Sequence, residues 1–115
     1  MTLKDLKEII VKFRDDRDWE KYHKPKDVFL KLVTEVGEVA EHLVWKDEKE
    51  LQEYLKKNRQ EVGYELADVL YNVVLLANQL NVDLDKAFIE KMKINEKKYP
   101  VGKVRGKRYK KYNEL

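Results

Sequence analysis

An all-α fold is predicted by three observations. Apolar residues recur at steps of three and four through most of the first hundred positions. Glycine and proline, which interrupt helices, number only 4 and 2 in 115 residues. No run of alternating apolar and polar residues is long enough to argue for a strand. At this length one helical domain is expected, a bundle of four to five helices over residues 1–100, followed by a basic tail over residues 101–115.

Each helix has its own start and stop. Thr2 is the expected N-cap of the first, with Asp5 three residues on, and Leu3, Leu6, Ile9, Ile10 and Phe13 follow at helical spacing. Arg17 to Lys26 breaks that period, and its Trp19, Tyr22, His23 and Pro25 read as a loop whose rings pack on something. Asp27 is expected to cap a second helix running to Trp45, with Val28, Phe29, Leu32, Val33, Val36, Val39, Ala40 and Leu43 turned inward. Asp47 then caps a short, charged third helix ending near Asn58. A separate fourth helix covers Arg59 to Leu80, with Asn81 as its C-terminal stop. Asp83 caps a fifth helix through Tyr99, and Pro100 ends it.

Composition excludes several functional classes. Charged residues make up 41% and hydrophobic residues 43%, yet the net charge is only +3, too small for a general affinity for nucleic acid. With no cysteine there is no disulfide, thiolate zinc site or cysteine nucleophile. The N-terminus lacks a signal-peptide core, and the most apolar stretch, Val69 to Ala77, is too short to span a bilayer. A cytoplasmic protein without membrane partners is the expectation.

The chemistry lies in paired acids. Glu35 with Glu38, and Glu65 with Asp68, are each three apart in helical apolar runs, so each pair aims two carboxylates from one helix face. At an effective dielectric of ~20, two anions roughly 5 Å apart repel by about 3 kcal/mol. That is large beside the ~5–15 kcal/mol net stability of a domain. A hard divalent cation, Mg²⁺ or in its place Mn²⁺, removes the cost and prefers oxygen ligands. Glu35, Glu38, His42 and Trp45 form one stripe, and Glu61, Glu65, Asp68 and Asn72 another. The apolar run Leu66 to Ala77 is expected to screen Asp68 from open water, which a solvated acidic face does not explain. A ferritin-like di-iron site needs Glu-x-x-His on two helices, whereas Glu38 and His42 are four apart, so His42 is not expected to ligate. The Gly102-x-x-x-Gly106-Lys107 spacing is wrong for a nucleotide-binding loop, and no strand precedes it.

Other side chains carry two readings each. Trp45, two turns beyond Glu38, is either a platform for a nucleobase or a core residue, and Trp19 has the same alternatives. Lys91, Asn95 and Lys98 share a face that serves phosphate contact or solvation. Lys103, Arg105, Lys107, Arg108, Lys110 and Lys111, interleaved with Tyr109 and Tyr112, read as an electrostatic tail, with RNA or DNA contact as the alternative.

Thr34-Glu35-Val36-Gly37-Glu38, followed by Glu65-Leu66-Ala67-Asp68, resembles the Glu-x-x-Glu … Glu-x-x-Asp signature of MazG-like, all-α nucleoside triphosphate pyrophosphohydrolases. Arg17-Asp18-Trp19-Glu20, His23-x-Pro25 and Trp45-Lys46 resemble the N-terminal half of the family's dCTP pyrophosphatase branch. Val82-Asp83-Leu84, Lys91-Met92-x-Ile94-Asn95, Tyr99-Pro100 and the ending Lys111 to Leu115 resemble its C-terminal half. The resemblance covers nearly the whole chain. It implies that Glu35, Glu38, Glu65 and Asp68 are catalytic ligands of Mg²⁺, that Trp19 and Trp45 hold the base, and that Asn72, Lys91 and Asn95 contact the nucleotide. It also implies hydrolysis of a deoxynucleoside triphosphate to the monophosphate and pyrophosphate by a homodimer or homotetramer whose subunits complete each other's sites. Glu38 is the candidate for orienting the water, and Gly37 for close approach of a phosphate or, equally, for helix packing.

The chain departs from that branch in places. Ile10 replaces a histidine and Asn72 a tyrosine at positions that approach the nucleotide, Asp27 stands where asparagine is usual, and the Trp45-to-Glu61 connection is shorter. The departures are expected to leave the reaction intact and to relax the preference for dCTP or a modified pyrimidine relative. The competing class is a non-enzymatic helical adaptor or nucleic-acid-binding module using the basic tail, against which a buried Asp68 argues.

Overall fold

The computed structural model describes residues 1–107; the expectations for Arg108, Tyr109, Lys110, Lys111, Tyr112 and the Asn113-Glu114-Leu115 ending lie outside the described residues. The fold is all-α. Helices α1 (Leu3–Asp16), α2 (Pro25–Leu43), α3 (Glu48–Gln79), α4 (Leu84–Lys98) and α5 (Val101–Val104) are joined by loops, one of which holds a 3-10 turn at Glu20–Tyr22. The chain forms two compact units, Met1–Val82 and the segment from Asp83 onward. Among the described residues no helix is long and apolar enough to cross a membrane.

In the first unit α3 packs against both α2 and α1. The capping boxes form as expected: Thr2 and Asp5 exchange bonds at the head of α1, and Asp47 and Glu50 do so at the head of α3. At the far end of α3, Asn81 takes φ +57. The Val82 N–H then donates to the Ala77 carbonyl at 2.8 Å, and the Asn81 N–H to the Asn78 carbonyl at 3.1 Å. That bond pair is a Schellman motif, which asparagine tolerates because its left-handed strain is small.

Three expectations are corrected here. The third and fourth helices are one continuous helix of 32 residues. No proline or glycine separates them, and Asn58 turns its Nδ2 back to the Tyr54 carbonyl at 2.9 Å instead of capping a new start. Second, α2 begins at Pro25 with Lys24 as its N-cap, not at Asp27, because proline at the first helical position has its φ already set. Third, Phe29, Val33 and Val36 do not point into the core of this chain; they are 50%, 52% and 50% exposed. The apolar band of α2 is wider than one neighbouring helix covers, so Val28 is buried while the opposite edge faces outward.

In the second unit Asp83 accepts the Lys86 N–H at 3.1 Å to start α4. Pro100 ends that helix and caps the four-residue α5 at the start of the basic tail.

Candidate active site

The helix pair α2–α3 brings the two acidic stripes face to face. Carboxylate oxygens of Glu35, Glu38 and Glu65 all lie within 4.8 Å of one another. Glu35 is only 5% exposed, and its two oxygens differ in partners. Oε1 accepts from Lys31 Nζ at 2.9 Å, while Oε2 is buried and has no hydrogen-bond partner. Glu38 sits between its neighbours and is pushed up to about 7, first by hydrogen bonds to Glu65 and Glu35 and then by their charges. Three hard oxygen donors, one of them buried and orphaned, fit a hard divalent cation.

Asp68 differs from its expected setting. It is exposed, as are Leu66 at 53% and Leu70 at 43%, because α3 is covered along one side only. Its carboxyl is nonetheless held above the usual range, first by loss of water on its inner side and then by the charges of Glu35 and Glu65. The deeply buried carboxylate of this site is Glu35. A carboxylate withdrawn from water contributes nothing to an acidic adaptor surface, and here that carboxylate is Glu35 and not Asp68.

Glu35 and Asp68, but not Glu38 or Glu65, line a cavity of about 620 Å³, within the roughly 300–1,000 Å³ of small-molecule sites. Its charged lining is Asp27, Lys31, Glu35 and Asp68, and the rings of Phe13, Trp19, Tyr22, His23 and Tyr71 make up its aromatic end. The rings meet edge to face: Phe13 lies 5.9 Å from Trp19 and 6.0 Å from Tyr71, and Trp19 lies 6.5 Å from His23. His23 is held below its ordinary value, by burial first and the Arg14 charge second, and its Nδ1 is buried without a partner. A neutral imidazole with a spare ring nitrogen can read a polar base edge. Ile10 and Asn72 also line the cavity, and Asn72 Nδ2 donates to the Asp68 carbonyl at 2.8 Å.

Not every residue singled out in the sequence joins this cavity. Trp45 is 95% exposed with φ +73, a conformation rare for a bulky residue, and is absent from the lining. His42 is hydrogen-bonded through Nδ1 to the Tyr54 hydroxyl. A Cβ added at Gly37 would meet nothing within 4 Å, so no close approach among the described residues requires glycine there. Lys91 and Asn95 lie one turn apart on α4, in the second unit, where Asn95 Nδ2 is 3.9 Å from Met92 Sδ. Phe13, Lys31, His23 and Tyr71 were passed over as site residues, although Phe13 and Tyr71 were legible as apolar-face aromatics and His23 by its place after Trp19.

The sequence profile of the MazG-like family matches residues 31–115. The chain belongs to the MazG-like family. Among its relatives it is 43% identical over 107 residues to dCTP pyrophosphatase 1 of Rattus norvegicus, covering 91% of this chain and 63% of that protein. It is 40% identical to dCTP pyrophosphatase 1 of Homo sapiens over 99% of this chain and 68% of the relative. The chain thus spans less than two thirds of the rodent relative's length. A pyrophosphatase of known structure from Archaeoglobus fulgidus superposes with a TM-score of 0.77 at 37% identity, covering 84% of this chain and 91% of its own. The all-α architecture is that of a MazG-like chain.

Proposed function

We propose that this MazG-like protein is a Mg²⁺-dependent nucleoside triphosphate pyrophosphohydrolase that converts a deoxynucleoside triphosphate, dCTP or a modified pyrimidine relative, to the monophosphate and pyrophosphate. The observation that carries the reading is the buried, orphaned Glu35 Oε2 beside Glu38 and Glu65, at the acidic end of a cavity whose other end is aromatic. A triphosphate bound with its base among the rings would turn its phosphates toward the carboxylates. The names of the rat, human and archaeal relatives support the same reaction.

Glu35, Glu38, Glu65 and Asp68 would hold Mg²⁺, which when bound neutralises phosphate charge and draws electron density from the α-phosphorus. Glu38, in the middle of the set, orients the attacking water by accepting its hydrogen bond. The water attacks the α-phosphorus in line, and pyrophosphate leaves. Trp19 offers a ring face to the base, while His23 and Asn72 offer polar atoms to its edge. Trp45, projecting from the end of α2, serves the site of a neighbouring subunit. Lys91 and Asn95 would contact the nucleotide, as the resemblance of the Lys91-Met92-x-Ile94-Asn95 motif implies. The outward band of Phe29, Val33 and Val36 supports a homodimer or a dimer of dimers.

A panel of canonical and 5-substituted deoxynucleoside triphosphates, with products separated by ion exchange, tests the reading. Release of monophosphate and pyrophosphate with pyrimidines preferred is expected. Diphosphate and orthophosphate as primary products, or a higher kcat/KM for purines, contradicts it.

A further inference from the structure

We propose that Arg14, which does not line the cavity, is a positioning residue for nucleotide binding: through Gln79 it holds the Trp19–His23 segment in place at the aromatic end. The proposal rests on reading the cavity as a nucleotide site.

Arg14 lies on α1 and is only 5% exposed. A guanidinium so withdrawn from water is costly unless its donors are used. Nη1 donates to Gln79 Oε1 at 2.8 Å, Nε donates to Asp15 Oδ1 at 2.9 Å, and Nη2 lies 3.8 Å from Glu20 Oε2. Gln79 Nε2 in turn donates to the His23 carbonyl at 2.6 Å. The main chain of Arg14 takes part as well, its carbonyl accepting the Trp19 N–H at 3.1 Å and the Arg17 N–H at 3.2 Å. Asp18, at φ +52, makes the turn that lets the Trp19 N–H point back, a conformation aspartate tolerates.

Both ends of the segment are therefore tied to one residue. Trp19 is held by the Arg14 backbone, and His23 by its side chain acting through Gln79. Between those ties lie Trp19, Tyr22 and His23, all lining the cavity. The simpler alternative is that the network only fastens α1 to α3. Gln79→Glu separates the two roles. A glutamate at that position still accepts from Arg14, with charge assistance, but it has no donor for the His23 carbonyl and sets oxygen against oxygen.

The segment contacts the base rather than the reacting phosphorus, so loosening it removes binding common to ground and transition states. Arg14→Ala and Gln79→Glu are each expected to raise KM for dCTP about tenfold while kcat stays within about twofold. Arg14→Lys, which keeps one donor but loses the fork, should recover part of that loss. With Trp45→Phe in the background Trp19 is the only tryptophan left, and its emission should shift to the red and become more open to acrylamide in Gln79→Glu. A Gln79→Glu protein with the wild-type KM and unshifted Trp19 emission overturns the proposal. Should Arg14→Ala not fold, Gln79→Glu decides alone. If the wild-type protein produces no dCMP from dCTP, the functional reading fails separately, and unshifted Trp19 emission in Gln79→Glu then overturns the hold on the segment.

Discussion

Replacing Glu35 by glutamine isolates the most costly group in the site. The side chain is 5% exposed, with Oε2 lacking any partner and Oε1 held by Lys31, whose own side chain is 61% exposed. Leaving a buried polar atom unsatisfied costs about 1–3 kcal/mol, more when it is charged. The exposed lysine pair returns only ~0–1 kcal/mol. Removing the charge also ends repulsion with Glu38 and Glu65, so metal-free Glu35→Gln should be more stable by about 1–2 kcal/mol. At ~4–8 °C per kcal/mol for a domain near this size, Tm in EDTA should rise by roughly 5–15 °C. Magnesium should reverse the order. At a hundred times its Kd, a bound ion stabilises the wild-type protein by about 2.7 kcal/mol, whereas Glu35→Gln should gain little. Glu38→Gln and Asp68→Asn should lose the same response and keep less than about a tenth of wild-type kcat, a barrier increase above ~1.4 kcal/mol. Differential scanning fluorimetry with EDTA and with Mg²⁺ checks the series. A Glu35→Gln protein that melts below wild type in EDTA, or gains as much from Mg²⁺, refutes the reasoning.

Glu38 sets a pH dependence whose sign follows from its raised value. Its folded value of about 7 exceeds its ordinary 4.5, so the folded state binds more protons between them, and metal-free stability should fall as pH rises through that window. Calorimetry in EDTA should show the decline, Glu38→Gln should flatten it, and a Tm that rises instead would count against the shared-proton geometry. Trp45→Ala should raise KM by roughly tenfold, the equivalent of ~1–3 kcal/mol of lost stacking, and an unchanged KM would remove Trp45 from the site. Val33→Asp, in the middle of the outward band of α2, should reduce the assembly to monomers in light scattering. A wild-type protein already monomeric and fully active at micromolar concentration would refute the assembly.

Local chemistry was the most legible part of this chain. Thr2, Asp47, Asp83 and Asn81 mark helix ends because their bonds close within a few residues, and all four act where expected. The continuity of α3 through Asn58 is not legible locally, because an asparagine side chain serves a helix end as readily as a bond back to its own helix. The face-to-face acidic pairs were legible by spacing, yet which carboxylate is buried was not. Burial depends on how far α2 covers α3, and that coverage favours Glu35 over Asp68. The aromatic end was harder still, since Phe13 and Tyr71 look like ordinary core residues until the loop carrying Trp19 folds over them.

Isotope placement distinguishes attack at the α-phosphorus from attack at either of the other two. Hydrolysis of dCTP with Mg²⁺ in ¹⁸O-labelled water, followed by mass spectrometry of both products, reports which phosphorus the water reached. One ¹⁸O in dCMP and none in pyrophosphate is expected. Label in pyrophosphate, or dCDP with labelled orthophosphate, contradicts attack at the α-phosphorus.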